Sequence, residues 1–152
     1  PKNYHAALGI NGRLDTIQAS ILIKKLGHLD DWCDNRRQKA SYYTEKMKGL
    51  DLVTPKTMSF NKHAFHLYVI RVKERDRLME HLKENNIGCA VYYPVPQHLQ
   101  ECLAYLGYKE GDMPETEKVA NETLALPVFP EMTEEEQDYV IESVKGFFSA
   151  SK

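Results

Sequence analysis

The sequence predicts an α/β fold, a small sheet packed with helices in an α+β sandwich, with a long helix preceding it. Three observations predict this class. Apolar residues recur at helical spacing through most of the first fifty residues. Runs rich in β-branched and aromatic residues follow at 65–72 and 87–93, with a helical pattern between them. A strand, helix and strand in this order are typical of a crossover unit in a small sheet.

The first element is expected to begin at Asp15, which can cap a helix. Apolar positions from Ile17 to Met47 continue the helical spacing, and Gly49 supplies a stop. Two alternatives stay open for this stretch. It is one very long helix, or it is two helices end to end with a break at Asp30–Asp31.

The remaining elements follow from local patterns. Residues 65–72 predict a strand, 75–86 a helix, and 87–93 a second strand that Pro94 stops. A short helix is expected within 97–108, a longer one at 115–126, and an extended segment at 126–130. Thr133 followed by three glutamates is typical of a helix start, and this last helix runs to about Phe148. We divide the chain into 1–50, an entrance loop and long helix, and 51–152, a small α/β domain.

Composition excludes several classes of function. The chain has 152 residues, 42% hydrophobic and 28% charged, so it can form a core as one domain or one lobe of a larger protein. Its formal net charge of -2 gives no indication of nucleic-acid binding. No apolar run reaches the roughly 20 residues that a membrane helix needs, and the first residues lack the apolar stretch of a secretory signal.

Cysteine and histidine usage argues against a metal or disulfide framework. The cysteines Cys33, Cys89 and Cys102 are odd in number and form no CxxC pair. His63 and His66 would point to opposite faces of a strand, and no acidic cluster completes a coordination shell. We therefore expect no metal, reduced thiols and a cytoplasmic location.

Four stretches carry a family resemblance. The first is GINGRLDTIQA at 9–19, in which the requirements of secondary structure do not explain why several of the residues occur together. The others follow in order: HLYVIRV at 66–72, VYYPVPQH at 91–98 and LPVFPEMT at 126–133. Together they resemble the DegT/DnrJ/EryC1/StrS sugar aminotransferases, from Tyr4 to about Phe148. The resemblance implies the small C-terminal domain of a fold-type I aminotransferase that uses pyridoxal 5'-phosphate.

The same resemblance implies a function and its partners. Family members transfer an amino group, usually from glutamate, to a nucleotide-linked keto-sugar in polysaccharide or surface-sugar biosynthesis. The partners implied are an N-terminal large domain, a second subunit of a homodimer, the nucleotide-sugar and an amino-acid donor. In the family, the Schiff-base lysine lies upstream of the segment that corresponds to Tyr4. We therefore expect no catalytic residue in this chain and no transaminase activity from this polypeptide alone.

Asn11 and Arg13 are the first candidate site residues. An amide can donate to a phosphate oxygen, and a guanidinium can bind an anion through two hydrogen bonds. Both precede a helix N-terminus, where anions are favoured. The resemblance implies that Asn11 binds the cofactor phosphate of the neighbouring subunit and that Arg13 lies near the substrate. The alternative is a simple Asn11–Gly12 turn with a solvated Arg13.

Tyr92, Tyr93 and His98 are the candidate substrate-binding residues of the second half. The tyrosines end a predicted strand before a Pro-x-Pro turn, and a phenol can donate to a sugar or phosphate oxygen. We favour Tyr93, because many relatives carry His at the position of Tyr92. The alternative is that one tyrosine is in the core and the other on the surface, as strand alternation requires. For His98 the alternative is a structural hydrogen bond.

Two other functions compete with this interpretation. The chain could be a non-catalytic dimerisation or interaction module, whose long helix supplies buried area. It could also be a nucleotide-binding module of another kind, but the phosphate-loop pattern GxxxxGK[ST] is missing from the sequence.

Overall fold

The computed structural model describes residues 3–150, and within that range helices pack on a small sheet, as the α/β prediction requires. Two short 3-10 helices, Gln97–Leu99 and Glu101–Leu106, lie between the third and fourth α-helices. The α-helices are α1 (Thr16–Leu26), α2 (Leu29–Lys46), α3 (Arg75–Glu84), α4 (Pro114–Glu122) and α5 (Glu134–Ala150), and the strands are β1 (Tyr68–Arg71) and β2 (Thr123–Leu126).

The sheet is antiparallel and two-stranded, with Tyr68 opposite Leu126 and Arg71 opposite Thr123. A single antiparallel bridge extends it on each side, from Val53 to Arg71 and from Ala90 to Ala125. Because β1 and the Ala90 segment both run antiparallel to β2, they run parallel to each other with β2 between them. The predicted crossover through α3 therefore joins segments that are not neighbours.

Three predicted strand and helix assignments were wrong. The strand at 87–93 is reduced to the single bridge at Ala90. The strand at 65–72 begins only at Tyr68, because Phe65 has a positive φ of 46°, which interrupts extended backbone. Residues 123–126, expected at the end of a helix, form β2 instead. All four residues of β2 are buried, and a short, fully buried strand has no alternation to distinguish it from a helix.

The core lies on one face of the sheet. Tyr68 and Ile70 of β1 share this face with Leu126 and Leu124 of β2, their direct partners. Helices α2, α3 and α5 supply most of the rest of the cluster, with Ala40, Tyr43, Leu78, Leu82, Val140, Ile141, Val144 and Phe147, and residues outside the helices complete it, with Met47, Phe65, Val72, Ile87 and Met132. The other face of β2 carries Thr123 and Ala125, and this face leads to the candidate site.

The long entrance element is two helices, and the break lies earlier than predicted. α1 ends at Leu26 with Gly27 as its C-cap, and His28 is the N-cap of α2. Asp30 and Asp31, the predicted break, lie in the first turn of α2. Carboxylates are favourable there because the helix N-terminus carries a partial positive charge.

The last helix begins as predicted. Thr133 Oγ1 accepts from the Glu136 N–H at 3.1 Å, and Glu136 Oε2 accepts from the Thr133 N–H at 2.9 Å. This reciprocal pair is a capping box. Within 3–150, no helix combines the length and the apolar character that crossing a lipid bilayer requires. The division at residue 50 stays a prediction, and α2 packs into the same core as the helices that follow it.

Candidate functional site

Asn11 and Arg13 lie in an exposed loop that leads into α1. Residues 7–15 have no regular secondary structure, and both side chains are exposed. Asp15 ends the loop, and its Oδ1 accepts from the Ile17 N–H at 3.3 Å as the predicted N-cap. The capping carboxylate leaves the amide of Asn11 and the guanidinium of Arg13 as the donors that the loop presents to solvent.

α1 is apolar and unburied along its whole length. None of its residues is buried among residues 3–150, although α1 is 11 residues long and mostly hydrophobic. The large apolar residues of α1 are between 50% and 73% exposed: Ile17, Ile21, Leu22, Ile23 and Leu26. We call these five residues the α1 apolar surface. At 3.6 residues per turn they are spread around the helix rather than along one stripe.

Tyr92 and Tyr93 lie beside a small cavity on the face of the sheet opposite the core. The cavity has a volume of about 190 Å³ and is lined by both tyrosines together with Val95, Val119 and Thr123. The two rings meet edge to face at 5.9 Å, and Tyr93 is the more exposed, at 62% against 37%. Neither tyrosine is in the core, so the alternative of one core and one surface ring is wrong.

A second, wider cavity of about 410 Å³ adjoins Tyr92 and reaches Ala125, His66 and Phe129. Arg36 of α2 holds two of its walls together. Its Nη1 donates to the carbonyl oxygens of Val128 at 3.1 Å and His66 at 3.3 Å. No sequence pattern marks this role, because Arg36 meets residues 30 and 92 positions away.

His98 has the structural hydrogen bond that was its alternative. The residue is 7% exposed, and its Nε2 lies 3.0 Å from Glu117 Oε1. An ionised carboxylate only accepts, so Nε2 carries the proton in this pair. Contact between His98 and a substrate stays a prediction, and in this arrangement His98 would act through the loop that it helps to hold.

Glu117 is the centre of that loop and was missed by sequence reasoning. Its carboxylate accepts from the Gly111 N–H at 2.9 Å and the Met113 N–H at 3.2 Å, besides His98. The Gly111 N–H, then His98 and Met113, stabilise the charged form and lower the pKa of Glu117 below its ordinary value. Its position in the first turn of α4 was readable from sequence, but its partners were not.

The predicted residues form two groups rather than one. Tyr92 and Tyr93 share their cavity with residues of α4 and β2, and neither Asn11 nor Arg13 is among its lining residues. The side chains that could hold a cofactor can be considered in two classes, those that could bind its phosphate and those that could bond to it covalently. The exposed amide and guanidinium fit a phosphate, whereas the buried polar residues in 3–150 include no lysine that could form an imine. The chain therefore offers donors that fit the phosphate of pyridoxal 5'-phosphate. The absence of the Schiff-base lysine stays a prediction from the family resemblance.

The chain is similar in sequence to parts of longer known proteins. The chain is 51% identical to the pleiotropic regulatory protein of Geobacillus stearothermophilus over 97% of its own length and 41% of that protein. It is 39% identical to a dTDP-3-amino-3,6-dideoxy-alpha-D-galactopyranose transaminase of Aneurinibacillus thermoaerophilus, covering 91% of this chain and 38% of the relative. The chain thus spans about two fifths of the length of these relatives.

Solved structures agree in fold. DesV of S. venezuelae superposes with a TM-score of 0.85 at 34% identity, over 97% of this chain and 40% of DesV. A DegT DnrJ EryC1 StrS aminotransferase from Brucella abortus superposes with a TM-score of 0.81 at 36% identity, over 93% of this chain and 38% of that one. The family model for the DegT/DnrJ/EryC1/StrS aminotransferases matches residues 1–145. The resemblance in the four sequence stretches is confirmed, and this chain belongs to the DegT/DnrJ/EryC1/StrS aminotransferase family.

Proposed function

We propose that this chain is the C-terminal part of a pyridoxal-phosphate-dependent aminotransferase acting on a nucleotide-linked keto-sugar in polysaccharide or surface-sugar biosynthesis. The observation that carries the proposal is the exposed loop before α1, which presents an amide and a guanidinium within three residues of each other. Relatives named as transaminases match the chain along most of its length. When bound, the cofactor supplies the electron sink for amino transfer.

The residues of this chain would bind and orient. Asn11 would donate to the cofactor phosphate of a neighbouring subunit, and Arg13 would bind an anionic group of the substrate through two hydrogen bonds. Tyr93, with its ring exposed, would donate a phenolic hydrogen bond to the sugar, and Tyr92 would pack beside it. Because Asn11 and Arg13 lie outside the tyrosine cavity, the two groups would serve different binding sites or different subunits.

The α1 apolar surface supports the proposal that α1 contacts partners on more than one side. A helix in contact with solvent keeps its apolar residues on one stripe, whereas those of α1 are spread around the axis. Such a helix needs neighbours on opposite faces. An N-terminal large domain and a second subunit of a homodimer would supply them.

A cytoplasmic location is also part of the proposal, and it is supported by the state of the cysteines. Cys33, Cys89 and Cys102 are free and partly buried. Unpaired thiols persist most readily in a reducing compartment.

The test is a completed protein, in which the N-terminal region of the Aneurinibacillus transaminase is joined to this chain. Cofactor affinity is measured by absorbance titration. The hydrogen bond from Asn11 to a charged phosphate predicts about 10–100-fold weaker cofactor binding for Asn11→Ala. Arg13→Ala is expected to raise the KM for the nucleotide-sugar by about 10–100-fold, since hydrogen bonds to charged groups are stronger.

The matched control is Asn61→Ala, which makes the same change in a different exposed loop. It should leave cofactor affinity and thermal unfolding unchanged. The competing function, a non-catalytic interaction module, is favoured by the α1 apolar surface alone. If Asn11→Ala and Arg13→Ala both match the control, the proposed binding role is wrong and the interaction module is the better account.

A further inference from the structure

We infer that Gln100 is a positioning residue that holds the start of the loop carrying Asn11 and Arg13. Gln100 lies between the two 3-10 helices and is 7% exposed. Its Oε1 accepts from the His5 N–H at 2.9 Å, and its Nε2 donates to the Asn3 carbonyl at 2.9 Å. One buried amide thus holds the backbone on both sides of Tyr4.

A third hydrogen bond completes this attachment. The Cys102 N–H donates to the His5 carbonyl at 3.0 Å. Both peptide groups of His5 are therefore held by the same turn, at a separation of 95 residues or more along the chain. Buried or part-buried hydrogen bonds over such a separation hold tertiary position rather than local conformation.

The loop between His5 and α1 is consequently held at its start. Residues 6–14 are all exposed, and at the other end Asp15 caps α1 through a local hydrogen bond. Holding one end of a short loop reduces the volume that Asn11 and Arg13 explore. Reduced freedom before binding lowers the entropy cost of binding, so the attachment pre-organises the two donors.

Gln100 also connects this loop to the second group of site residues. Its Nε2 lies 3.4 Å from the carbonyl oxygen of Val95, which lines the cavity of Tyr92 and Tyr93. A single side chain therefore links the backbone of both candidate binding regions. This role rests on the proposed function of Asn11, because it acts through that residue.

The chemistry of the position requires an amide. Gln presents one acceptor and two donors, whereas a glutamate of the same shape keeps the acceptor and, when ionised, has no donor. Gln100→Glu would leave the Asn3 and Val95 carbonyls without their partner and place a charge at a buried position. Gln38→Glu makes the same change at an exposed position on α2 and is the matched control.

The experiment has two readouts. In the 152-residue chain, hydrogen exchange of the His5 and Cys102 amides should be about tenfold faster in Gln100→Glu than in Gln38→Glu, because the buried charge and the unpaired Asn3 carbonyl displace the segment although an acceptor for the His5 N–H remains. In the completed protein, Gln100→Glu should weaken cofactor binding about 3–10-fold, in the same direction as Asn11→Ala but by less, because Gln100 acts only through that residue. In the Asn11→Ala background the same substitution should have a much smaller effect, because residues that act through one another are not additive.

Gln100→Leu removes the hydrogen bonds without introducing a charge, and it should change both readouts in the same direction. Unchanged exchange of both amides in Gln100→Leu would overturn the attachment. Faster exchange with unchanged cofactor affinity, where Asn11→Ala still weakens binding, would overturn the positioning role and leave the proposed function standing. An equal effect of Gln100→Glu with and without Asn11 would show a general structural effect and also overturn it. If Asn11→Ala itself has no effect, the proposed function fails, and the positioning role fails with it.

Discussion

The hydroxyl of Tyr43 joins the core to the segment beside the wider cavity. Tyr43 lies on α2 with no exposed surface, and its hydroxyl donates to the Pro127 carbonyl at 3.0 Å. Pro127 follows β2 directly and lines the cavity that Phe129 also borders. Burial raises the pKa of Tyr43 well above its ordinary value, so the phenol is a neutral donor at neutral pH.

Tyr43→Phe removes this donor and changes almost nothing else in volume. The Pro127 carbonyl loses its partner at a part-buried position, and the net contribution of such a hydrogen bond is about 0.5–1.5 kcal/mol. For a chain of this size, each kcal/mol lowers Tm by about 2–4 °C. We therefore expect the free energy of unfolding to fall by about 0.5–1.5 kcal/mol and Tm by about 1–6 °C.

The control is Tyr139→Phe, a matched substitution at the surface. The Tyr139 hydroxyl also donates to a backbone carbonyl at 3.0 Å, that of Asn85, but its residue is 54% exposed. Water can replace the lost donor there, so the cost should stay within about 0.5 kcal/mol. Both variants are compared by urea unfolding at fixed pH. Equal losses in the two variants would refute the argument that burial sets the cost.

Two further predictions concern charge and association. Because the pKa of Glu117 is lowered in the folded state, its hydrogen bonds stabilise the fold above pH 4.5, the ordinary value, and this contribution is lost as pH falls through the folded pKa. Glu117→Gln should therefore lower the free energy of unfolding at pH 7, and urea unfolding between pH 7 and 3 should show that this loss becomes smaller in acid. A loss that is constant with pH would contradict the argument. Ile21→Lys, on the α1 apolar surface at 52% exposure, should reduce self-association of the chain in sedimentation and leave its unfolding midpoint unchanged. The control Phe60→Lys, at 80% exposure in a loop, should change neither property, and an unaltered association state in Ile21→Lys would count against α1 as a contact surface.

Local signals predicted the helices well and the sheet poorly. α3 and α5 begin where their patterns indicate, and the capping box at Thr133 forms in full. Caps and helical spacing depend on residues within a few positions of each other, so a sequence can show them. β2 was missed because a central strand is defined by neighbours on both sides, here β1 and Ala90, which lie far away along the chain.

The candidate site divides in the same way. The family, the exposed donors Asn11 and Arg13 and the tyrosine pair follow from residue types in short strings. The residues that hold these groups in place, Gln100, Glu117 and Arg36, carry no local signal.

The sequence by itself determined the family, the helices and the chemical types available for binding, because each depends on residues close together along the chain. Only the tertiary structure decided the strand order, the burial of His98 and the attachment of His5 to Gln100. The last two features depend on polar groups that are 19 and 95 positions apart along the chain, as His98 meets Glu117 and His5 meets Gln100. Burial makes such partners necessary, and only folding determines which distant group supplies them.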